Sequence, residues 1–150
     1  MAVDPQQNEA EFDKIAVNYD SELNKALALA GESKDYFAEG RMRWMQRLFK
    51  TQQFTPKSAL DFGCGTGTST PYFFDLLGTE TLTGVDPSEE SLTVARRSHA
   101  GSSATYCTAD GFSGRGSVDL AFCNGVFHHI PVAERPEAVR FVFEALRPGG

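Results

Sequence analysis

The spacing of apolar residues along the chain changes near residue 58. Before it, apolar positions recur three and four apart. Phe12, Ile15, Ala16 and Tyr19 do so, followed by Leu23, Leu27 and Ala30, which predicts a helix over Glu9–Ala30 with Gly31 as its stop. A second helix is expected from Ser33 to about Lys50, with Ser33 as cap. Phe37, Met42, Met45, Leu48 and Phe49 form its apolar face, and Gly40 weakens it internally. After residue 58 short apolar runs alternate with helical patterns. The runs predict strands at Ser58–Phe62, Thr81–Val85, Ala104–Thr108 and Val118–Cys123. Helices are expected at Thr70–Leu77, Ser88–Ser98 and about Ala133–Leu146, the last tolerating Pro136 in its first turn. Such βαβ alternation predicts an α/β fold, a doubly wound parallel sheet with right-handed crossovers and ligands at the carboxyl ends of the strands. The domain plan read from this is a disordered segment 1–8, a helical cap 9–57 and an α/β core 58–150.

Composition narrows the partners. The 150 residues suffice for one core, and the net charge of −6 comes with no run of Lys or Arg. Nucleic-acid backbones are held by basic surface, so a nucleic acid is not the expected partner. The three cysteines, Cys64, Cys107 and Cys123, lie far apart without metal-ligand spacing. An odd count fits a reducing cytoplasm better than a disulfide scaffold. Met1–Asn8 is polar and reads as neither signal peptide nor anchor. No apolar run approaches the roughly 20 residues that span a bilayer, so no membrane role is expected.

The chemistry is concentrated at the ends of the predicted strands. Ala59-Leu60-Asp61-Phe62-Gly63-Cys64-Gly65-Thr66-Gly67-Thr68 is an apolar run that closes on an acid and then places a glycine every second residue. Glycine lets the backbone turn at positive φ and approach a ligand closely. A dinucleotide fingerprint, G-x-G-x-x-G, requires its third glycine at position 68, where this chain has Thr68. Asp61 beside the loop suits a ligand with positive charge better than a pyrophosphate. The segment resembles motif I of the class I S-adenosylmethionine-dependent methyltransferases of small-molecule type, whose cofactor carries an ammonium and a sulfonium and no phosphate.

Three further strand ends extend the resemblance. Asp86-Pro87 closes the second strand about 20 residues past the loop, a spacing also compatible with NAD. In the family an acid there accepts the ribose hydroxyls. Asp110-Gly111-Phe112 follows the third strand; the resemblance implies that Asp110 accepts from the adenine amine and that Phe112 covers the ring. Asn124-Gly125-Val126-Phe127-His128-His129 follows the fourth, where the family's backbone lines the sulfonium side. The cofactor-binding set so implied is Tyr19, Asp61, Gly63, Gly65, Gly67, Asp86, Pro87, Asp110, Gly111, Phe112, Asn124, Gly125 and Val126. Tyr19 belongs to the segment Phe12-Asp13-x-x-Ala16-x-x-Tyr19-Asp20, which resembles the helical opening of these enzymes. No metal is implied.

Each residue also has a plainer reading. Asp86 and Asp110 are acceptable helix caps, and Tyr19 an ordinary core aromatic. Arg41 and Arg43 are as well placed on a solvated face as against a carboxylate. Cys64 and Cys123 suit packing, and Trp44 the core or a lid. His128 and His129 are the histidines near the predicted site, able to take a proton from a substrate hydroxyl or amine. Methyl transfer itself does not demand a base, because in-line positioning can supply much of the acceleration.

The resemblance covers Phe12–Gly150 and ends on Leu146-Arg147-Pro148-Gly149-Gly150, the turn that leads into the family's fifth strand. The last strands of the usual seven-stranded sheet are therefore expected to be absent here. Three functions follow from this reading. The first is a methyltransferase acting on an unidentified small molecule. The second is a S-adenosylmethionine-binding fragment with weak or no turnover. The third, disfavoured by Thr68 and Asp110, is half of an NAD-dependent oxidoreductase. The apolar fourth strand is expected at a sheet edge, covered on one face only, which favours a homodimer or higher oligomer.

Overall fold

In the computed structural model the described residues are 34–150; the helix expected at Glu9–Ala30, Tyr19, and the segment 1–8 lie outside them. The chain divides into two compact units, Met1–Ala38 and Glu39–Gly150, and the sheet lies in the second. Helix α1 (Lys34–Gln52) runs two residues past its expected end. It stops where Gln53 takes a left-handed φ of 54°, and the Phe54 N–H returns to Phe49 O at 3.0 Å.

Four strands follow: β1 (Ser58–Phe62), β2 (Thr81–Val85), β3 (Ala104–Cys107) and β4 (Leu120–Cys123). All pair in parallel, in the order β3-β2-β1-β4. The doubly wound sheet is thus present, with its order reversing between β1 and β4. In such sheets the crevice above that reversal is where ligands bind. The register sets Asp61 between Gly84 and Phe122.

Helices α2 (Thr70–Asp75) and α3 (Glu89–Ser98) connect β1 to β2 and β2 to β3, a 3-10 turn at Ala109–Gly111 lies between β3 and β4, and α4 (Arg135–Ala145) follows β4. Pro71 and Pro136 sit in the first turns of α2 and α4, where a missing N–H costs nothing. Ser88 caps α3 by accepting the Ser91 N–H at 3.2 Å, so that helix begins one residue later than expected. Glu89 and Glu90 at its start and Arg96 and Arg97 at its end both complement the helix dipole. Helix α2 stops two residues early, because the Leu76 and Leu77 N–H groups both turn back to Tyr72 O. Helix α4 is likewise shorter than expected at both ends.

Three apolar clusters fill the space between sheet and helices. Met42 of α1 joins Phe73, Leu77, Ala59, Leu82 and Phe122; Phe73 and Phe122 meet edge to face at 5.7 Å. A second cluster gathers Leu60, Val85, Val118 and Ala145 with Phe62, Phe112 and Phe141 around it. The third packs Leu92 and Ala95 of α3 on Cys64 and Tyr106. Strand β4 is therefore covered on both faces, which corrects the expectation of a single cover. Phe122 packs toward Phe73, while Ala121 packs in the cluster that holds Ala145.

Strand β4 is also two residues shorter than expected. Val118 forms an isolated parallel bridge with Leu146, and the Arg147 N–H donates to Val118 O at 3.0 Å, so the start of this edge already has a partner. Asp119, inside the run expected as a strand, is a clasp. Its Oδ2 accepts the Lys57 N–H at 2.7 Å, the Ser58 N–H at 2.9 Å and the Ser58 hydroxyl at 3.2 Å. Arg147 pairs with its other oxygen. Burial alone would raise the pKa of Asp119, but the backbone N–H groups of Ser58 and Lys57, the Ser58 hydroxyl and the Arg147 charge outweigh it and hold the carboxyl below its ordinary value.

Candidate functional site

The glycine loop leaves β1 and is held by the end of β2. The N–H groups of Gly63 and Cys64 both donate to Val85 O, at 2.7 and 3.1 Å. The Gly65 N–H donates to Asp86 Oδ2 at 2.9 Å, while Asp86 Oδ1 accepts the Ser88 N–H at 2.9 Å. Asp86 thus ties the loop to the start of α3, with one lone pair on each oxygen still to place. Pro87 beside it is exposed.

The glycines differ in what they require. Gly63 has φ +77°, and a Cβ there would lie 2.4 Å from Val126 Cγ2. The segment after β4 therefore rests directly on the loop after β1. Gly65 has φ +53°, and among the described residues nothing lies within 4 Å of where its Cβ would be. Its side of the loop is open, the geometry a ligand needs to reach the backbone. Gly67, at φ +79°, is buried against His99 and Thr70.

Asp61 lies beneath this loop, only 3% exposed. Among the described residues no donor or cation partners its carboxyl. Burial, and secondly the charge of Asp86, push its pKa up to about 7. A buried acid without a partner is costly as an anion, and a cation placed beside it would offset that cost. The thiols nearby are inert. Burial, then Asp61 and Asp86, drive Cys64 far above its ordinary value. Burial and then Asp61 push Cys123 up to about 11, and burial also raises Cys107. All three are free and protonated near neutrality, as packing residues would be.

The other predicted residues surround the same strand ends. Asp110 and Gly111 are exposed on the 3-10 turn, and Phe112 is half-buried, its ring 5.3 Å from that of Phe141. Between this turn and α4 lies a cavity of about 450 Å³, lined by Phe62, Asp110, Phe112, Arg115, Glu137 and Phe141 among others. Its aromatic floor and acidic rim suit a flat ring that donates hydrogen bonds. Asn124 and Val126 are half-buried and Gly125 is exposed at φ +67°. His128 and His129 are exposed, with ring centroids 3.8 Å apart, in a turn closed by the His129 N–H on Val126 O at 3.0 Å. Among the described residues no group of three or more His, Cys, Asp or Glu side chains is placed to hold a metal ion. Nor is any described helix long and apolar enough to cross a membrane.

Sequence reasoning missed Asp119, Thr70 and Tyr106. The first partners residues about sixty positions away, and no local pattern signals that. A trace of the other two exists: Gly84 inside β2 is unusual for a strand, and glycine there marks a close approach by another group. That group is the Tyr106 ring, 2.6 Å from where a Cβ would stand.

Residues 59–150 match the family model described as a methyltransferase domain. A trans-aconitate 2-methyltransferase from Rhizobium leguminosarum bv. trifolii is 28% identical over 94 residues, which is 63% of this chain and 36% of that protein. The structure of a S-adenosylmethionine-dependent methyltransferase from Mesorhizobium loti aligns with a TM-score of 0.52 at 30% identity, over 62% of this chain and 42% of that one. A Burkholderia thailandensis 1,6-didemethyltoxoflavin-N1-methyltransferase, solved with bound 1,6-didemethyltoxoflavin and S-adenosylhomocysteine, aligns with a TM-score of 0.58 at 23% identity. It covers 99% of this chain and 62% of its own, and at that identity the likeness concerns the fold. The chain thus spans less than half the length of each of the first two.

Proposed function

Because the chain belongs to the methyltransferase domain family, we propose that it binds S-adenosylmethionine over the carboxyl ends of its strands and transfers the methyl group to a small molecule. When bound, the cofactor supplies a methyl on a positively charged sulfur, already activated for attack. The observation that carries the reading is the buried carboxyl of Asp61, without a partner among the described residues, below the face of Gly65 that these residues leave open. That pairing of an acid with an exposed loop backbone fits an amino-acid moiety bearing a cation, and it fits a pyrophosphate poorly.

The remaining residues take roles along the same crevice. Asp86 keeps lone pairs for ribose hydroxyls while its hydrogen bond to Gly65 fixes the loop. Asp110 stands at the mouth of the cavity whose floor includes Phe62, Phe112 and Phe141, and accepts from the adenine amine there. Asn124, Gly125 and Val126 form the wall opposite Gly63. His128 and His129 lie within three residues of that wall, and one of them takes the proton of an acceptor hydroxyl or amine at its free ring nitrogen. The small-molecule acceptor is supported by the substrates named for the Rhizobium and Burkholderia proteins. A cytoplasmic setting is supported by the three free cysteines.

Thermal shift with S-adenosylhomocysteine and NAD in parallel tests the proposal. A ligand bound only by the native state adds about 2.7 kcal/mol at a hundredfold excess over Kd, so S-adenosylhomocysteine raises Tm by several degrees and NAD leaves it unchanged. Stabilisation by NAD alone would reject the reading.

A further inference from the structure

We propose that Tyr106, on the outer strand β3, is a positioning residue for the glycine loop. The role rests on the reading of that loop as the cofactor cradle. Tyr106 belongs to a strand that does not touch the loop through its backbone, since β2 separates β3 from β1. Its side chain nevertheless crosses β2. It passes over Gly84, where a Cβ would meet the ring at 2.6 Å, and its hydroxyl hydrogen-bonds Thr70 Oγ1 at 2.8 Å. Both residues are buried, Thr70 to 1% and Tyr106 to 7% exposure. Each hydroxyl is therefore the other's replacement for water, and losing either leaves a buried polar group unpaired.

The contact matters because of where Thr70 stands. It is the first residue of α2, and its N–H donates to Gly67 O at 3.0 Å. Its Oγ1 lies 3.2 Å from where a Gly67 Cβ would be, and His99 closes the same spot at 2.9 Å. The His99 and Tyr106 rings are 6.1 Å apart. The ring also packs with Cys64 of the loop in the third cluster, and both crowd the place where a Gly84 Cβ would stand. The loop is thus held from two directions. Val85 and Asp86 anchor Gly63, Cys64 and Gly65 by hydrogen bonds. Tyr106, through Thr70 and His99, fixes Gly67 and the start of α2. Gly65, between these anchors, is left open. Preorganising a binding loop lowers the ordering cost of binding, so the tyrosine acts on affinity through the loop without touching the ligand.

The test uses Tyr106→Phe, Thr70→Val and the double variant, with Met42→Ala as a control that loosens the first cluster, which holds none of the residues given a binding role. S-adenosylhomocysteine affinity is measured by calorimetry well below each Tm. Amide exchange of Gly65, Gly67 and Thr70 is followed without ligand. Each single variant is expected to raise Kd about three- to tenfold and to speed exchange at Gly67 and Thr70, with the double variant little worse than either single. Met42→Ala is expected to lower Tm while leaving Kd and loop exchange unchanged. Equal affinity and exchange in Tyr106→Phe and wild type would overturn the role, as would a Met42→Ala protein that loses affinity in step with its Tm. If the wild type takes up no S-adenosylhomocysteine, the proposed function falls, and the exchange rates alone then uphold or overturn the positioning role.

Discussion

Replacing Asp61 by Asn removes a charge that the ligand-free fold opposes, and the cost of that charge follows from its environment. The carboxyl is almost fully buried without a partner among the described residues, and its pKa stands at about 7 against an ordinary 3.8. Each pKa unit corresponds to 1.36 kcal/mol between folded and unfolded states. The shift of about three units therefore amounts to roughly 4 kcal/mol. The sign follows from proton counts. Between pH 4 and 7 the folded state keeps the proton that the unfolded chain has released, so stability falls as pH rises through this window and levels off above 7. Asn cannot titrate, and it retains the shape of the side chain. Urea unfolding of the ligand-free protein at pH 5, 6, 7 and 8 reads the difference. Asp61→Asn is expected to be more stable than wild type at pH 8, by about 1–3 kcal/mol after allowance for burying an amide, with the gain shrinking toward pH 5. Binding moves the other way. A cation beside Asp61 favours its ionised form, so at pH 6 wild-type uptake of S-adenosylhomocysteine releases a proton, seen as a buffer-dependent heat. The variant releases none and binds more weakly. A stability difference that is flat from pH 5 to 8, or a variant less stable at pH 8, would refute the reasoning.

Three further substitutions separate the loop's fold from its use and locate the fold's acid sensitivity. Gly63→Ala drives a Cβ into Val126 at a φ of +77°, and is expected to cost more than about 2 kcal/mol in urea unfolding; Gly65→Ala meets no atom of the described residues, loses about 1 kcal/mol to φ strain, and instead abolishes the thermal shift from S-adenosylhomocysteine. Arg147→Ala leaves Asp119 with its three donors from Lys57 and Ser58 but without its ion pair. Because the Asp119 pKa is lowered by folding, its contribution is complete above pH 4 and fades as pH falls below that value. The variant is therefore expected to lose about 1–2 kcal/mol at pH 7, with circular dichroism showing that difference narrowing below pH 4.

Much of this architecture was legible in the sequence. The strands β1 and β2 fall where the apolar runs place them, because both are central in the sheet and buried runs of this kind are bounded sharply by turns. The glycine loop was legible for a different reason: alternate glycines have few explanations other than a tight turn with close backbone approach. The boundaries of β4 were not, because they are settled by contacts distant in sequence. Asp119 leaves the strand pattern to collect the N–H groups of Lys57 and Ser58, and Val118 pairs outward with Leu146. Helix ends moved by one or two residues wherever a turn closed locally, as at Gln53 and Leu76. The second hold on Gly67 was hidden for the same reason as Asp119. Tyr106 reads in the sequence as one more β-forming aromatic of β3, and only the notch at Gly84 shows where its hydroxyl goes.

The strand order also dictates when the sheet can close. Pairing β1 with β2, and β2 with β3, joins residues about two dozen positions apart, and each pair is complete once a single crossover has folded. The pairing of β1 with β4, and the clasp of Asp119 on Ser58, spans 61 positions. Closing a longer loop costs more chain entropy, and contacts of large sequence separation form slowly. One side of β1, at the centre of the sheet, must therefore wait for β4. On a ribosome that wait is set by the synthesis of the intervening residues, during which the apolar edge at Ala59–Phe62 has no strand beside it. The step that completes the crevice above β1 and β4 is thus also the step that ends this exposure, which makes the site one of the last parts of the fold to form.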